Sequence, residues 1–156
     1  MVCYYLAMND VDLMKEALAE ARKALEMGEV PVGAVVALNG EIVARGHNER
    51  EAKLSIASHA EIEALHSAEK KLGRVRLFDC TVYVTLEPCL MCAGAILQSR
   101  IHRLVYALDD PKAGAVRSRF HVFDEVTDDG VPLVEVGCKK EESKALLQTF
   151  FANRRR

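Results

Sequence analysis

The sequence predicts an α/β domain, a three-layer α-β-α sandwich around a central mixed sheet of about five strands. Segments whose apolar residues recur at helical spacing alternate with short segments of β-branched residues, in the order α-β-β-α-β-α-β-β-α. The chain has 156 residues, of which 50% are hydrophobic and 28% charged, a composition typical of one globular domain. Because both faces of such a sheet must be covered, we expect helices on each side of it.

The first elements are a helix and a hairpin. The helix begins after Asn9 or Asp10, either of which can cap it, and it ends before Gly28. Its apolar residues recur at helical spacing and are Met14, Ala17, Leu18, Ala21 and Leu25. Residues 31–45 then form a hairpin, because Asn39-Gly40 at its centre suits a type I′ turn. A polar loop follows to about residue 57.

The middle of the chain predicts a helix, a strand and another helix. Residues 58–72 are helical, with small and apolar residues on one side and Gly73 just beyond the end. Residues 80–86 are rich in β-branched and aromatic side chains, which indicates a strand. Pro88 opens the next helix, which runs to about Arg100, because the first turn of a helix does not need the N–H that proline lacks.

The last third predicts two strands and a final helix. Residues 102–108 form a strand, and the loop over 108–119 contains Asp-Asp-Pro and Ala-Gly-Ala. Residues 131–136 form the last strand, and a helix runs from Lys139 to the end. The apolar face of this helix carries Leu146, Leu147, Phe150 and Phe151.

The composition restricts the class of protein. No linker or repeat divides the chain, so we expect one domain over residues 1–156, with residues 1–8 as a poorly ordered extension. No apolar run approaches the ~20 residues that span a bilayer, and the start lacks a signal peptide, which argues against a membrane. Five cysteines do not indicate a disulfide framework, so we expect a cytoplasmic protein. The net charge of −2 argues against broad attraction to nucleic acid, and each basic cluster taken alone is interpreted as solvated surface.

The segment TLEPCLMCAG contains Cys89 and Cys92, three residues apart. This spacing is compatible with a redox pair, half of a metal site, or two buried thiols. A closed four-cysteine zinc site would need a second Cys-x-x-Cys, and the other cysteines are scattered, which excludes it. A thioredoxin-like motif would also follow a strand and begin a helix, so the cysteines alone leave it open.

His59 and Glu61 stand in SHAEIEAL at the predicted start of the second helix. One histidine and two thiolates at helix starts make three zinc ligands and leave the fourth coordination position for a water molecule. Glu61 would be the base that takes a proton from this water. Each residue has another interpretation. His59 alone would be an ordinary histidine, and Ser58-x-x-Glu61 is also a capping box. The remaining histidines lack a partner at ligand spacing and are interpreted as structural or surface residues: His47, His66, His102 and His121.

His-x-Glu at a helix start, followed about 30 residues later by Pro-Cys-x-x-Cys, resembles the signature of zinc deaminases. The resemblance covers nearly the whole chain from about residue 10, and its segments are GEVPVGAVV (28–36), HAEIEAL (59–65), VYVTLEPCLMCAGAI (82–96), SRI (99–101) and LLQTFFANRRR (146–156). They are similar to those of the bacterial tRNA-specific adenosine deaminases, in the cytidine/deoxycytidylate deaminase superfamily. That family converts the wobble adenosine of a tRNA anticodon to inosine, as a homodimer with one zinc ion per subunit.

The resemblance implies a cytidine-deaminase-like fold and a role for each matching residue. His59, Cys89 and Cys92 would hold Zn²⁺. Glu61 would carry protons between a zinc-activated water, the adenine ring and the leaving amine. The implied substrate contacts, in the base pocket, in LDDPKAG (108–114) and in the tail, are Asn48, Asp110, Lys112, Phe150, Phe151, Arg154 and Arg155. The implied partners are the anticodon stem-loop of a tRNA and a second copy of the chain.

One segment departs from the family's pattern. The family usually has Asp-Pro-Thr-Ala before His-Ala-Glu, and this chain has Ser55-Ile56-Ala57-Ser58. The zinc chemistry stays intact, but the pocket wall and therefore the substrate are left open. Two alternatives remain: a zinc deaminase of a free base or nucleoside such as cytosine, guanine or cytidine, which needs no basic loop or tail, and a non-catalytic zinc or redox module, which does not need Glu61.

Overall fold

The computed structural model describes residues 7–154, which form one five-stranded sheet with helices on both faces. The helices are α1 (Asp10–Glu26), α2 (Ala60–Leu72), α3 (Leu90–Ser99) and α4 (Lys140–Arg154). The strands are β1 (Gly33–Leu38), β2 (Glu41–His47), β3 (Cys80–Val84), β4 (Arg103–Tyr106) and β5 (Leu133–Val136). Every predicted element is present in the predicted order. The short 3-10 helix Val122–Glu125 was not predicted.

The sheet is mixed, as predicted, with the strand order β2-β1-β3-β4-β5. β1 is antiparallel to both β2 and β3, whereas β3-β4 and β4-β5 are parallel pairs. The predicted hairpin turn is confirmed, since Asn39 and Gly40 have φ values of 52° and 75°, as a type I′ turn requires. Because parallel strands end at the same edge of a sheet, the segments that follow β3 and β4 emerge side by side.

Two apolar layers cover the faces of the sheet. Side chains alternate along β3, so that Val82 and Val84 face one layer and Tyr83 faces the other. The first layer includes buried residues of α2 and α3, among them Ala64 and Ile96. The second layer is built on α1, against which α4 also packs. The predicted three-layer sandwich is therefore confirmed.

Two helices begin later than predicted. α2 begins at Ala60 and α3 at Leu90, with His59 and Cys89 as their N-cap residues, so that neither Ser58 nor Pro88 is helical. Both cap residues have extended backbones, with ψ values of 153° and 179°, and neither side chain caps its helix. The prediction that Pro88 opens the helix was wrong. Its carbonyl instead accepts a hydrogen bond from a distant loop, at 2.8 Å from the nitrogen of Ala115.

The chain before α1 is only partly described. Residues 1–6 of the predicted extension lie outside the described residues, as do residues 155 and 156. The N–H of Met8 donates to the carbonyl of Gly40 at 3.0 Å, and Asn9 caps α1 by accepting from the N–H of Asp12 at 2.9 Å. Every helix within residues 7–154 is too short or too polar to cross a membrane. The four cysteines in the same range are free thiols.

Candidate active site

The three predicted zinc ligands meet where the N-termini of α2 and α3 come together. His59 Nδ1 lies 3.6 Å from the sulfur of Cys89 and 3.6 Å from the sulfur of Cys92. Zinc bonds of about 2.3 Å to sulfur and about 2.0–2.1 Å to nitrogen, at tetrahedral angles, place the two ligand atoms about 3.5–3.6 Å apart. The arrangement therefore fits one zinc ion with three protein ligands and an open fourth position.

Hydrogen bonds within this group set the charges of the thiols. The hydrogen bond with Cys92, supported by one with His59, lowers the pKa of Cys89 to about 4 although burial opposes it. The same hydrogen bond with Cys89, together with burial, raises the pKa of Cys92. The hydrogen bond with Cys89 also raises the pKa of His59. Because zinc binds thiolates, metal binding at this group would be coupled to loss of any proton on Cys92.

Glu61 is buried beside the three ligands and has no basic side-chain partner among the described residues. Burial is the largest cause that raises the pKa of its carboxyl, and the charge of Cys89 acts in the same direction. A carboxyl whose pKa is raised can accept and release a proton closer to neutral pH. The predicted capping box is not formed, because the N-cap of α2 is His59 and not Ser58. His59 lies before the helix, so it and Glu61 can both face one site.

A cavity of about 270 Å³ opens above this group. His59, Glu61 and Cys89 line its floor, and the Ser55–Ser58 segment, whose sequence departs from the family's pattern, contributes no residue to its walls. The volume is close to the lower end of small-molecule sites, which begins at about 300 Å³. The cavity can therefore admit a single small planar group above the metal position.

Three of the predicted substrate contacts line this cavity, namely Asn48, Asp110 and Arg154. Asn48 is fixed by its own hydrogen bonds, since its amide donates to the carbonyl of Val30 at 3.3 Å and its carbonyl oxygen accepts from the N–H of Arg50 at 3.2 Å. Its backbone N–H also donates to the carbonyl of Val32, the residue just before β1, at 3.1 Å. The wall position of Asn48 is therefore set before any substrate binds.

The other predicted contacts lie elsewhere. Lys112 and Phe151 line a separate groove of about 610 Å³ beside α4, and Phe151 is 47% exposed. Phe150 is 4% exposed, and the guanidinium carbon of Arg154 stacks 4.8 Å from the centre of its ring. Phe150 therefore anchors α4 and supports Arg154 from below. Arg155 lies outside the described residues.

Two buried carboxylates beside the cavity were missed by the sequence reasoning. Glu29 is 2% exposed and accepts from the N–H of Glu51 at 2.8 Å, so it holds the loop that carries Asn48. Glu87 is 3% exposed and accepts hydrogen bonds from the 108–119 loop that carries Asp110. In the sequence, each glutamate interrupts an apolar segment close to a proline. A glutamate that is fully buried at such a position needs hydrogen-bond partners, which is what could have indicated a structural role.

Comparisons with known proteins agree with the predicted family. The model of the MafB19-like deaminase family matches residues 8–155. The tRNA-specific adenosine deaminase of Bacillus subtilis (strain 168) is 45% identical over 143 residues, which is 92% of this chain and 89% of that protein. The protein of the same name from Haemophilus influenzae is 46% identical over 147 residues, 94% of this chain and 85% of that one.

Solved structures share the fold. A structure from a study of A-to-I editing by tRNA:A34 deaminases at the wobble position of transfer RNA aligns with a TM-score of 0.84 and 44% identity. The alignment covers 86% of this chain and 98% of that chain, which confirms the predicted cytidine-deaminase-like fold. By family match and by fold, this chain belongs to the tRNA-specific adenosine deaminases.

Proposed function

We propose that this protein converts the wobble adenosine of a tRNA anticodon to inosine by hydrolysis, with release of ammonia. The observation that carries the chemistry is the zinc-compatible spacing of His59, Cys89 and Cys92, with the buried carboxylate of Glu61 in the same cavity. The observation that supports the substrate is the 45% identity to a tRNA-specific relative over 92% of the chain.

The mechanism assigns proton transfer to Glu61. A zinc ion held by His59, Cys89 and Cys92 would supply a water of lowered pKa and an open coordination position. Glu61 accepts one proton from the attacking water and delivers it to N1 of the ring as the water oxygen forms a bond to C6 of the adenine. It then takes the second proton from that oxygen and delivers it to the amino nitrogen, so that the C6–N bond breaks and ammonia leaves. The ring keeps the oxygen, which makes it the base of inosine.

The target base has to leave its stack before it can react. His59, Glu61 and Cys89 form the floor of a cavity of about 270 Å³. Chemistry on a base inside such a pocket requires that the nucleotide be unpaired and turned out, as an anticodon loop permits. Asn48, Asp110 and Arg154 on the walls are then the side chains available to orient the base and its ribose.

A free-base deaminase is the second candidate function, because a guanine deaminase from Nitrosomonas europaea aligns with a TM-score of 0.82. That protein is 25% identical, against 45% for the Bacillus subtilis relative, so the comparison favours RNA. The cations also favour RNA, since neither Lys112 nor Arg154 forms an ion pair among residues 7–154. A non-catalytic module is disfavoured because it gives no reason to bury Glu61 beside the ligands.

The homodimer and the location remain part of this proposal. Leu90 and Met91 stand between the two cysteine ligands and are 51% and 36% exposed, an apolar surface that a second copy would cover. Leu90→Lys with Met91→Lys should therefore convert a dimer into a monomer in sedimentation equilibrium, and a monomeric wild type would contradict the proposal. Free thiols and a tRNA substrate both favour the cytoplasm.

The test of the function uses RNA and small molecules side by side. The zinc-loaded protein is incubated with an anticodon stem-loop that carries adenosine at the wobble position, with the same stem-loop carrying guanosine there, and with free adenine, adenosine, guanine, cytosine and cytidine. We expect inosine only in the first RNA, with ammonia released in equal amount. Ammonia from a free base, with an unchanged stem-loop, would instead establish the second candidate.

A further inference from the structure

The carboxylate of Glu87 organises a whole loop. It lies in the short segment between β3 and the Cys89 turn, and its side chain is 3% exposed. Its oxygens accept from the N–H of Asp110 at 3.1 Å and from the hydroxyl of Ser118. They also accept three further backbone N–H groups at 3.0–3.1 Å, those of Val116, Arg117 and Ser118. All five donors belong to the 108–119 loop.

This loop forms some backbone hydrogen bonds within itself, and four of its N–H groups are satisfied by Glu87. It contains no helix or strand, and buried N–H groups must find a partner. Two backbone hydrogen bonds also join the loop to the segment of Glu87. The N–H of Glu87 donates to the carbonyl of Leu108 at 2.8 Å, and the N–H of Ala115 donates to the carbonyl of Pro88 at 2.8 Å. Gly114 permits the close approach, since a Cβ there would lie 2.4 Å from the Glu87 carboxyl carbon.

The same carboxylate lies between the chemistry and the proposed RNA contacts. Glu87 is two residues before the ligand Cys89, and the loop it holds carries Asp110 in the cavity wall and Lys112 in the adjoining groove. The side chain of Asp110 in turn accepts a hydrogen bond from the backbone N–H of Lys112 at 3.0 Å. Because the backbone N–H of Asp110 is held by Glu87, the position of Lys112 also depends on Glu87. The distance from the metal ligands to both side chains is therefore fixed through Glu87.

We propose that Glu87 is a positioning residue for the RNA substrate, which holds the 108–119 loop at the place where Asp110 and Lys112 meet the anticodon. The proposal rests on the proposed function. It predicts that loss of the carboxylate weakens the use of RNA, while the metal and the proton transfer by Glu61 remain intact. A residue that only stabilises the fold would lower the melting temperature and leave the Michaelis constant of the folded enzyme unchanged.

The central experiment is Glu87→Gln in the zinc-loaded full chain. Glutamine keeps the size and one acceptor but points an NH₂ group at N–H donors, so the loop loses part of its anchor. We expect full zinc content, a KM for the anticodon stem-loop raised by about tenfold or more, and a kcat within about threefold of wild type. Glu20→Gln is the matched control, because Glu20 is equally buried at 4% but pairs with Lys23 and lines no wall of the cavity.

A double-mutant cycle tests whether the effect passes through the loop. If Glu87 acts by placing Lys112, then Glu87→Gln should raise KM less in a Lys112→Ala background than in wild type. Additive effects would overturn the proposal, as would zinc loss, a kcat collapse, or an unchanged KM in Glu87→Gln. Should that variant fail to fold, Ser118→Ala and Gly114→Ala disturb the same contact from the loop side and must raise KM. If the wild-type protein forms no inosine in the stem-loop, the proposed function itself is rejected. The variants alone cannot give that result.

Discussion

The proposed metal centre and the proposed RNA-facing rim of the cavity are built on different principles. The metal centre takes His59, Glu61, Cys89 and Cys92 from two helix starts that pack on the sheet, and each pair is close in sequence. The rim takes its residues from the 108–119 loop, which the distant carboxylate of Glu87 holds in place, and from the end of α4, where Arg154 stacks on Phe150. On the proposed function, rigid elements hold the chemistry, and loops that can vary without disturbing it hold the substrate contacts.

The sharpest way to break the metal centre is to remove a ligand. Cys89→Ala and Cys92→Ala should each lose both bound zinc and all measurable deamination, because two ligands cannot hold the ion in a three-ligand site. Metal analysis and inosine formation measure the two losses on the same sample. Cys138→Ala is the control, since this free thiol lies outside the site. Full activity after complete chelation of wild type would show that the centre is not a zinc site.

The next change separates proton transfer from metal binding within the same centre. Glu61→Gln keeps the shape of the side chain but cannot carry a proton, so activity should fall by at least ~10² while zinc content stays at one ion per chain. Single-turnover inosine formation and metal analysis measure the two quantities. Glu63→Gln, two residues further along α2 and paired with Lys53, should keep normal activity. A Glu61→Gln variant that deaminates well but melts earlier would return Glu61 to a structural role.

A glycine behind the metal centre tests how far it depends on the sheet. A Cβ on Gly46 would lie 2.5 Å from the carbonyl oxygen of Ala60 and 2.7 Å from the nitrogen of Ala64, so Gly46→Ala must push the start of α2 away from β2. We expect a loss of about 1–3 kcal/mol in the free energy of unfolding and weaker zinc binding, measured by denaturant titration and metal competition. Gly94→Ala is the matched control, because nothing lies within 4 Å of its Cβ. Unchanged zinc affinity in Gly46→Ala would mean that α2 can shift without moving His59.

The same contrast explains what could be predicted from the sequence. The group of His59, Cys89 and Cys92 could be singled out because helix starts and Cys-x-x-Cys spacing are local features, visible within a few residues of sequence. Both helix starts were predicted two residues early, because His59 and Cys89 occupy the N-cap positions. The partners of Glu87 are 23 to 31 residues away, and no local pattern encodes hydrogen bonds over that separation. Phe150 and Phe151 are adjacent and chemically alike, yet only tertiary packing buries one and exposes the other.

The smallest expected effect concerns the rim, and salt is the variable that reveals it. Lys112 and Arg154 form no ion pair among the described residues, and each lines a surface next to the metal centre, which is the arrangement of cations that contact phosphates. Each such contact releases counterions, so Lys112→Ala or Arg154→Ala should reduce the dependence of log Kd on log salt by about one, without loss of zinc.

Binding of the anticodon stem-loop, measured at several salt concentrations, separates this effect from a change in the centre. Lys70→Ala is the control, because this lysine lies near the end of α2, outside both the cavity and the groove. The two rim variants are expected to differ in one respect. Arg154 stacks on Phe150, so its removal should also loosen the end of α4 and lower the melting temperature slightly, whereas no aromatic ring within residues 7–154 stacks on Lys112. Equal salt slopes for wild type, both rim variants and the control would remove Lys112 and Arg154 from the RNA interface.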